Sequence, residues 1–146
     1  MEKQRHGFVT FWLWLMLLSN LAVAIYMIAE RDLAIWIYAT EEKAHLMFYG
    51  IINGVDLFCN SMIVLAGLGV VNFIAAILLL KWKKAGFWVC IAASAINLIV
   101  MIILASIGGL SSAVISSIIG AIAGPLVLYG ILQLKKNDVS CWKQLM

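Results

Sequence analysis

Charge is what this 146-residue chain has least of: Asp, Glu, Lys and Arg together make up only 12% of it. A soluble globular domain carries about a quarter charged residues and about half apolar ones, whereas here 65% of the residues are hydrophobic. A short chain leaves much of its surface in contact with its surroundings and cannot hide such an excess. An ordinary soluble enzyme, a nucleic-acid binder and a disordered chain are all poor fits. The net charge of +3 is also too small to imply a nucleic-acid partner. Proline occurs once, and turn-rich stretches are few, which argues against a many-stranded β architecture. The three cysteines, Cys59, Cys90 and Cys141, are too few and too scattered for a disulfide framework or a metal site. These absences leave a membrane protein.

What is present is a set of long charge-free runs. The first extends from His6 to Ala29 and ends at Glu30-Arg31-Asp32; the second extends from Leu57 to Leu80, between Asp56 and Lys81. The third, Ala85 to Leu134, covers 50 residues without one formal charge. A hydrocarbon core about 30 Å thick needs roughly 20 helical residues at about 1.5 Å each. The first two runs therefore hold one span apiece and the third holds two. A break is visible at Gly108-Gly109-Leu110-Ser111-Ser112, where paired glycines lower helix propensity and a serine can cap the next helix. The predicted spans are Phe8–Ile28, Phe58–Leu80, Phe87–Ile107 and Ala113–Leu134, with a kink expected at Pro125. The fold expected is an all-α integral membrane protein of one domain, residues 1–146: a four-helix transmembrane bundle with short amphipathic helices in its outer loop, residues 30–56. A leader peptide is the other reading of the first segment, since Ala22-Val23-Ala24 resembles a cleavage site. Its apolar stretch has full spanning length, so a retained helix is expected.

The basic residues orient the bundle. Four spans put Lys3, Arg5, Lys81, Lys83, Lys84, Lys135, Lys136 and Lys143 on one side. The other side holds only Arg31 and Lys43 among five acidic residues. The bias of Lys and Arg toward cytoplasmic loops places both termini in the cytoplasm. In the outer loop, Trp36, Tyr38, Phe48 and Tyr49 suit the headgroup level, which suggests two short pieces lying on the leaflet, either as a lid on the bundle or as a binding surface.

Polar residues within the spans are the candidate functional groups. Asn20, Asn60, Asn72 and Asn97 should face the bundle interior, because an amide in lipid needs a partner. Hydrogen bonds between helices are the simplest use for them; an amide-lined solute path is the alternative. In the fourth span Ser112, Ser116, Gly120 and Gly124 recur every four residues beside Gly109, Ala113, Ser117 and Ala121. Such rows of small residues let a neighbouring helix approach closely, within the chain or in a second copy, and the contact within the chain is the one expected. Asp56, at the outer entry to the second span, is a candidate outer-face charge. His45 with Glu41 could form a metal pair or pH switch, but a simply exposed histidine is the reading expected. No nucleophile–base set, phosphate-binding glycine loop or pair of catalytic carboxylates is recognisable, so no catalytic, cofactor or metal residue is assigned.

Two segments repeat a helix end, a lysine cluster and an aromatic residue: Lys81-Trp82-Lys83-Lys84-Ala85-Gly86-Phe87-Trp88, and Leu134-Lys135-Lys136-Asn137-Asp138-Val139-Ser140-Cys141-Trp142. Both suit interfacial anchoring. With the opening Gly7-Phe8-Val9-Thr10-Phe11-Trp12-Leu13-Trp14-Leu15, they resemble a group of small four-span bacterial membrane proteins. That resemblance covers about a third of the chain; it implies a bacterial cytoplasmic membrane and brings no activity with it. The leading functional expectation is a non-enzymatic interaction, accessory or scaffold protein, in contact with the lipid bilayer and with a second copy or a membrane-protein partner. The alternative is a transporter or pore for a small solute or lipid-like ligand, using the amide-lined interior.

Overall fold

A computed structural model describes residues 5–39, 55–108 and 112–146. Helix α1 runs over Gly7–Ala39, α2 over Val55–Leu80, α3 over Ala85–Gly108 and α4 over Ser112–Leu132. A two-stranded hairpin, β1 (Lys135–Lys136) and β2 (Val139–Ser140), and a short helix α5 (Cys141–Gln144) complete the chain. Gly7–Leu33, Cys59–Leu80, Ala85–Ser106 and Val114–Leu132 are each long and apolar enough to cross a membrane. The protein is thus an all-α, four-helix membrane bundle. Large apolar side chains such as Phe11, Ile25, Ile99 and Leu126 point outward, as a hydrocarbon solvent permits.

One boundary differs from the sequence expectation. Glu30-Arg31-Asp32 does not end α1, which continues as helix to Ala39 in place of a separate amphipathic piece beginning in the loop. Charged residues mark the end of the hydrocarbon crossing, but they are acceptable helix formers, and no Gly or Pro follows Gly7 before Ala39 to break the ladder. Glu30 is buried, and Arg31 pairs with Asp32 at 3.0 Å. The remainder of the expected outer loop, with Glu41, Lys43 and His45, lies outside the described residues.

The helices pack in chain order: α1 on α2, α2 on α3 and α3 on α4, while α1 and α4 barely touch. Glycine permits two of these approaches. A Cβ added at Gly69 would stand 3.1 Å from the Asn20 carbonyl oxygen and 3.2 Å from the Ala24 Cβ, so α1 and α2 meet backbone to backbone there. At Gly86 it would come within 2.5 Å of the Ala75 carbonyl oxygen and 2.9 Å of the Leu78 Cβ, which only glycine avoids.

The end of the bundle at the α2–α3 turn is tied by a clasp. Helix α2 finishes with Lys83 N–H donating to the Leu78 carbonyl (2.9 Å) and Trp82 N–H to that of Leu79 (3.1 Å), with Trp82 at φ 63°. This is the closing geometry usually given to glycine; for a tryptophan it costs about 1 kcal/mol. Arg5, preceding α1, donates to the Leu79 and Leu80 carbonyls at 2.7 and 2.6 Å, and its guanidinium stacks 3.9 Å from the centre of the Trp82 ring. Two carbonyls of the last helical turn, at the end of the helix that carries partial negative charge, thereby gain a cation. The chain after α4 returns through the hairpin, whose turn residues Asn137 and Asp138 have φ 53° and 62°, the paired left-handed conformation of a tight two-residue hairpin. The tail then docks on the turn: Met146 N–H donates to the Trp82 carbonyl (2.8 Å), and Lys84 N–H donates to the Met146 carbonyl (2.6 Å).

Beneath the clasp lies a dense core formed by Val9, Leu13, Ala75, Leu79, Phe87, Cys90, Leu128, Leu132, Cys141 and Leu145. Phe87, Tyr129 and Trp142 close it with edge-on and tilted ring contacts at 5.0 to 5.9 Å. A second core, nearer the far end, joins Cys59, Met62, Leu65 and Leu68 of α2 to Ala93, Met101 and Leu104 of α3.

Candidate functional site: a cleft between the first and fourth helices

Because α1 and α4 stand apart, the bundle has an open side. A cleft of about 670 Å³ occupies it, walled by Trp12, Met16 and Val23 of α1 and Ser117, Gly120 and Gly124 of α4. Its floor is α2 and α3, through Leu68, Asn72, Ser94 and Asn97. Leu15, Ser19, Val23, Gly120 and Gly124 line it while remaining exposed, so it opens sideways, toward the lipid. The volume is that of a site for a small organic ligand. Among the described residues no acidic, basic or histidine side chain lines it.

The amides divide unequally. Asn20, Asn72 and Asn97 all reach the cleft. Asn60 does not; it is exposed on the surface of α2, contrary to the inward orientation expected of it. Its position five residues into α2 places it at a helix end, where an amide can leave the hydrocarbon without an internal partner. The hydrogen bonds between helices expected of the other three are also not formed. The Asn20 side-chain N–H donates to Met16 O of its own helix at 2.7 Å. The side-chain oxygens of Asn72 and Asn97 are buried with no hydrogen-bond partner. An unsatisfied buried acceptor costs about 1–3 kcal/mol; Arg5 Nε, Arg31 Nε and Ser140 Oγ are likewise buried without a partner elsewhere in the protein. Asn72 lies eight residues from the end of α2 and Asn97 twelve from the start of α3. At about 1.5 Å per residue both sit roughly 12–18 Å in from the clasp end, near the middle of a hydrocarbon core.

The rows of small residues also separate. Ala121 is buried and Ser117 half-buried, with Val114 and Ile118 also turned inward, so this side of α4 faces the bundle. Ser112, Ser116, Gly120 and Gly124 are exposed, and a Cβ at Gly120 or Gly124 would meet nothing within 4 Å. The close contact within the chain expected of that row is therefore absent; Gly120 and Gly124 border the cleft, and Ser112 and Ser116 lie exposed outside it. The close approaches the row was expected to provide occur instead at Gly69 and Gly86, positions whose isolated glycines carried no repeat to reveal them. Helix α4 is unbroken through Pro125, which has no N–H to give to the Ala121 carbonyl in the cleft wall.

Asp56 falls in the first turn of α2, with its side chain outside the described residues. Cys59, Cys90 and Cys141 are all free thiols and buried. Among the described residues no three His, Cys, Asp or Glu side chains gather in one place. The clasp residues Arg5, Trp82 and Cys141 went unrecognised as a group. The Asn137-Asp138 pair between lysine and valine was the available signal, since those residues favour the tight turn that brings the tail back. Comparison of the chain with protein-family models, curated proteins and solved structures finds no match.

Proposed function

We propose that the protein is a non-enzymatic membrane protein that holds a lipid-like ligand in the cleft between α1 and α4. The observation that carries this reading is the cavity itself, open on its α1–α4 side and lined at mid-depth by the amide side chains of Asn20, Asn72 and Asn97 among apolar neighbours. A bundle that needed only to pack would fill such a space with apolar side chains. The site is a lateral pocket rather than a through-pore, because Val9, Leu13, Leu79 and Leu132 close the clasp end without accessible surface. The lysines and arginine collected at the clasp end, Arg5, Lys81, Lys83, Lys84, Lys135, Lys136 and Lys143, support placing that end on the cytoplasmic side.

Filling the pocket tests the proposal. A side chain at Gly120 has open space before it, so Gly120→Phe should project into the cleft without straining the helices. Purified in mild detergent, the native protein should retain a lipid that the variant loses, while the two unfold alike. Equal retention by both would sink the reading. A second reading, a partner or scaffold protein that receives another helix, is favoured by the exposed row Ser116, Gly120 and Gly124. Under that reading Gly120→Phe removes a co-purifying protein or a dimer instead of a lipid.

A further inference from the structure

The tail that closes the clasp also gathers charge. The lysines of the α2–α3 turn and those that follow α4 are far apart in the sequence. Pairing of Lys135 with Ser140 and of Lys136 with Val139 turns the chain back, and the Met146 and Lys84 hydrogen bonds fix the tail to the turn. Lys81 and Lys83 of the turn and Lys135, Lys136 and Lys143 of the tail are thereby brought to one end of the bundle, all exposed. Lys84 is half-buried beside them, its Nζ 5.4 Å from the centre of the Trp142 ring. Asp138 is the one acidic side chain at this end among the described residues. No carboxylate among the described residues pairs with any of these lysines.

Indole rings mark the depth of this charge. Trp82 and Trp142 are half-buried and Trp88 is 62% exposed, and tryptophan collects at the headgroup level of a bilayer. What the lysines face there is lipid phosphate. A zwitterionic headgroup brings its own cation to that phosphate, whereas an anionic one leaves the charge for the protein to meet. We infer that the clasp end is a binding face for anionic phospholipid, completed by docking of the tail, and that the bound lipid holds the clasp shut. Release of the tail separates the two groups of lysines and gives up part of the shared attraction. The lipid therefore binds the docked form more tightly and stabilises it. This face does not depend on what the cleft holds.

The Lys84 and Met146 amide protons sit in the two hydrogen bonds that dock the tail, so their exchange with solvent deuterium reports its release. The full chain is compared in vesicles of phosphatidylcholine alone and of phosphatidylcholine mixed with phosphatidylglycerol. Beside it stand a tail variant, Lys135→Gln with Lys136→Gln and Lys143→Gln, and a turn variant, Lys81→Gln with Lys83→Gln. An anionic surface lowers the hydroxide concentration near it and slows exchange in every chain, so the measure is the additional slowing in the native one. Phosphatidylglycerol should slow the native amides about tenfold more than those of either variant, and concentrated salt should remove that difference. Equal slowing in native and variant chains overturns the inference, as does a difference that persists in concentrated salt. Soluble polyglutamate added to phosphatidylcholine vesicles tests the other occupant. Protection as large as that from phosphatidylglycerol assigns the face to an acidic protein and overturns the inference too. The two variants change different segments, so either one carries the test if the other does not fold.

Discussion

The clasp end and the mid-depth cleft are built from similar materials to opposite effect. At the clasp end most polar groups find a use: Arg5 covers two carbonyls near a helix end, the tail pairs with the turn, and aromatic rings stack on one another. Arg5 Nε and Ser140 Oγ nonetheless stay buried without a partner. Some 15 Å along the same helices, at about 1.5 Å per residue, the two amide oxygens of the cleft go unmatched and α4 turns a row of small residues toward nothing. The first region is densely packed, and the second holds open space. The contrast is between a part filled by its own side chains and a part left open.

Glycine provides the largest test of that contrast. Gly86→Leu drives a side chain into the α2 backbone at Ala75 and should destabilise the protein by about 3 kcal/mol. Gly120→Ala, which meets open space, should change stability by no more than about 0.5 kcal/mol. Detergent-titrated unfolding of the two variants side by side measures both; similar losses would erase the distinction between the regions. Next in size, Arg5→Ala removes two charge-assisted hydrogen bonds and the stack on Trp82, for a loss of about 2 kcal/mol. Arg5→Lys should recover only part of this, because an ammonium lacks the planar fork and the stacking face. Full recovery by lysine would reduce the clasp to a simple point charge.

The smallest effect is a pH dependence confined to the clasp. Burial pushes the Cys141 thiol above its ordinary range, with the adjacent Arg5 opposing the shift. As pH rises, the unfolded chain releases this proton first, so above the ordinary thiol range the unfolded state binds fewer protons and is favoured. Stability should therefore decline above about pH 8.5, and Cys141→Ala should reduce the slope. An unchanged slope would remove Cys141 as a contributor.

The sequence makes the bundle readable because charge and hydrocarbon exclude each other: Asp56, Lys81 and the Lys135–Lys136 pair stand within a few residues of helix ends. It does not reveal where α1 stops, since Glu30, Arg31 and Asp32 end a membrane crossing without ending a helix. The inward orientation of Asn20, Asn72 and Asn97 follows from the cost of an amide in lipid. Asn60 escapes that argument by lying at a helix end. The cleft itself is hidden because each helix is apolar on every side and carries no stripe to show which face turns inward. Gly120 and Gly124 read as a packing face from spacing alone, whereas only the positions of α1 and α3 show that nothing packs there. The clasp is hidden for a different reason, since it unites residues 5, 82 and 141 across almost the whole chain.

The order in which the helices pack has a mechanical consequence. Three seams of the bundle join neighbours in the chain, and the fourth, between α1 and α4, is fastened among the described residues only at one end, by the tail and Arg5. A four-sided barrel closed on three sides and pinned at the base behaves as a spring clip. Parting the jaws at the far end would break none of the three packed seams, with the clasp as the fulcrum.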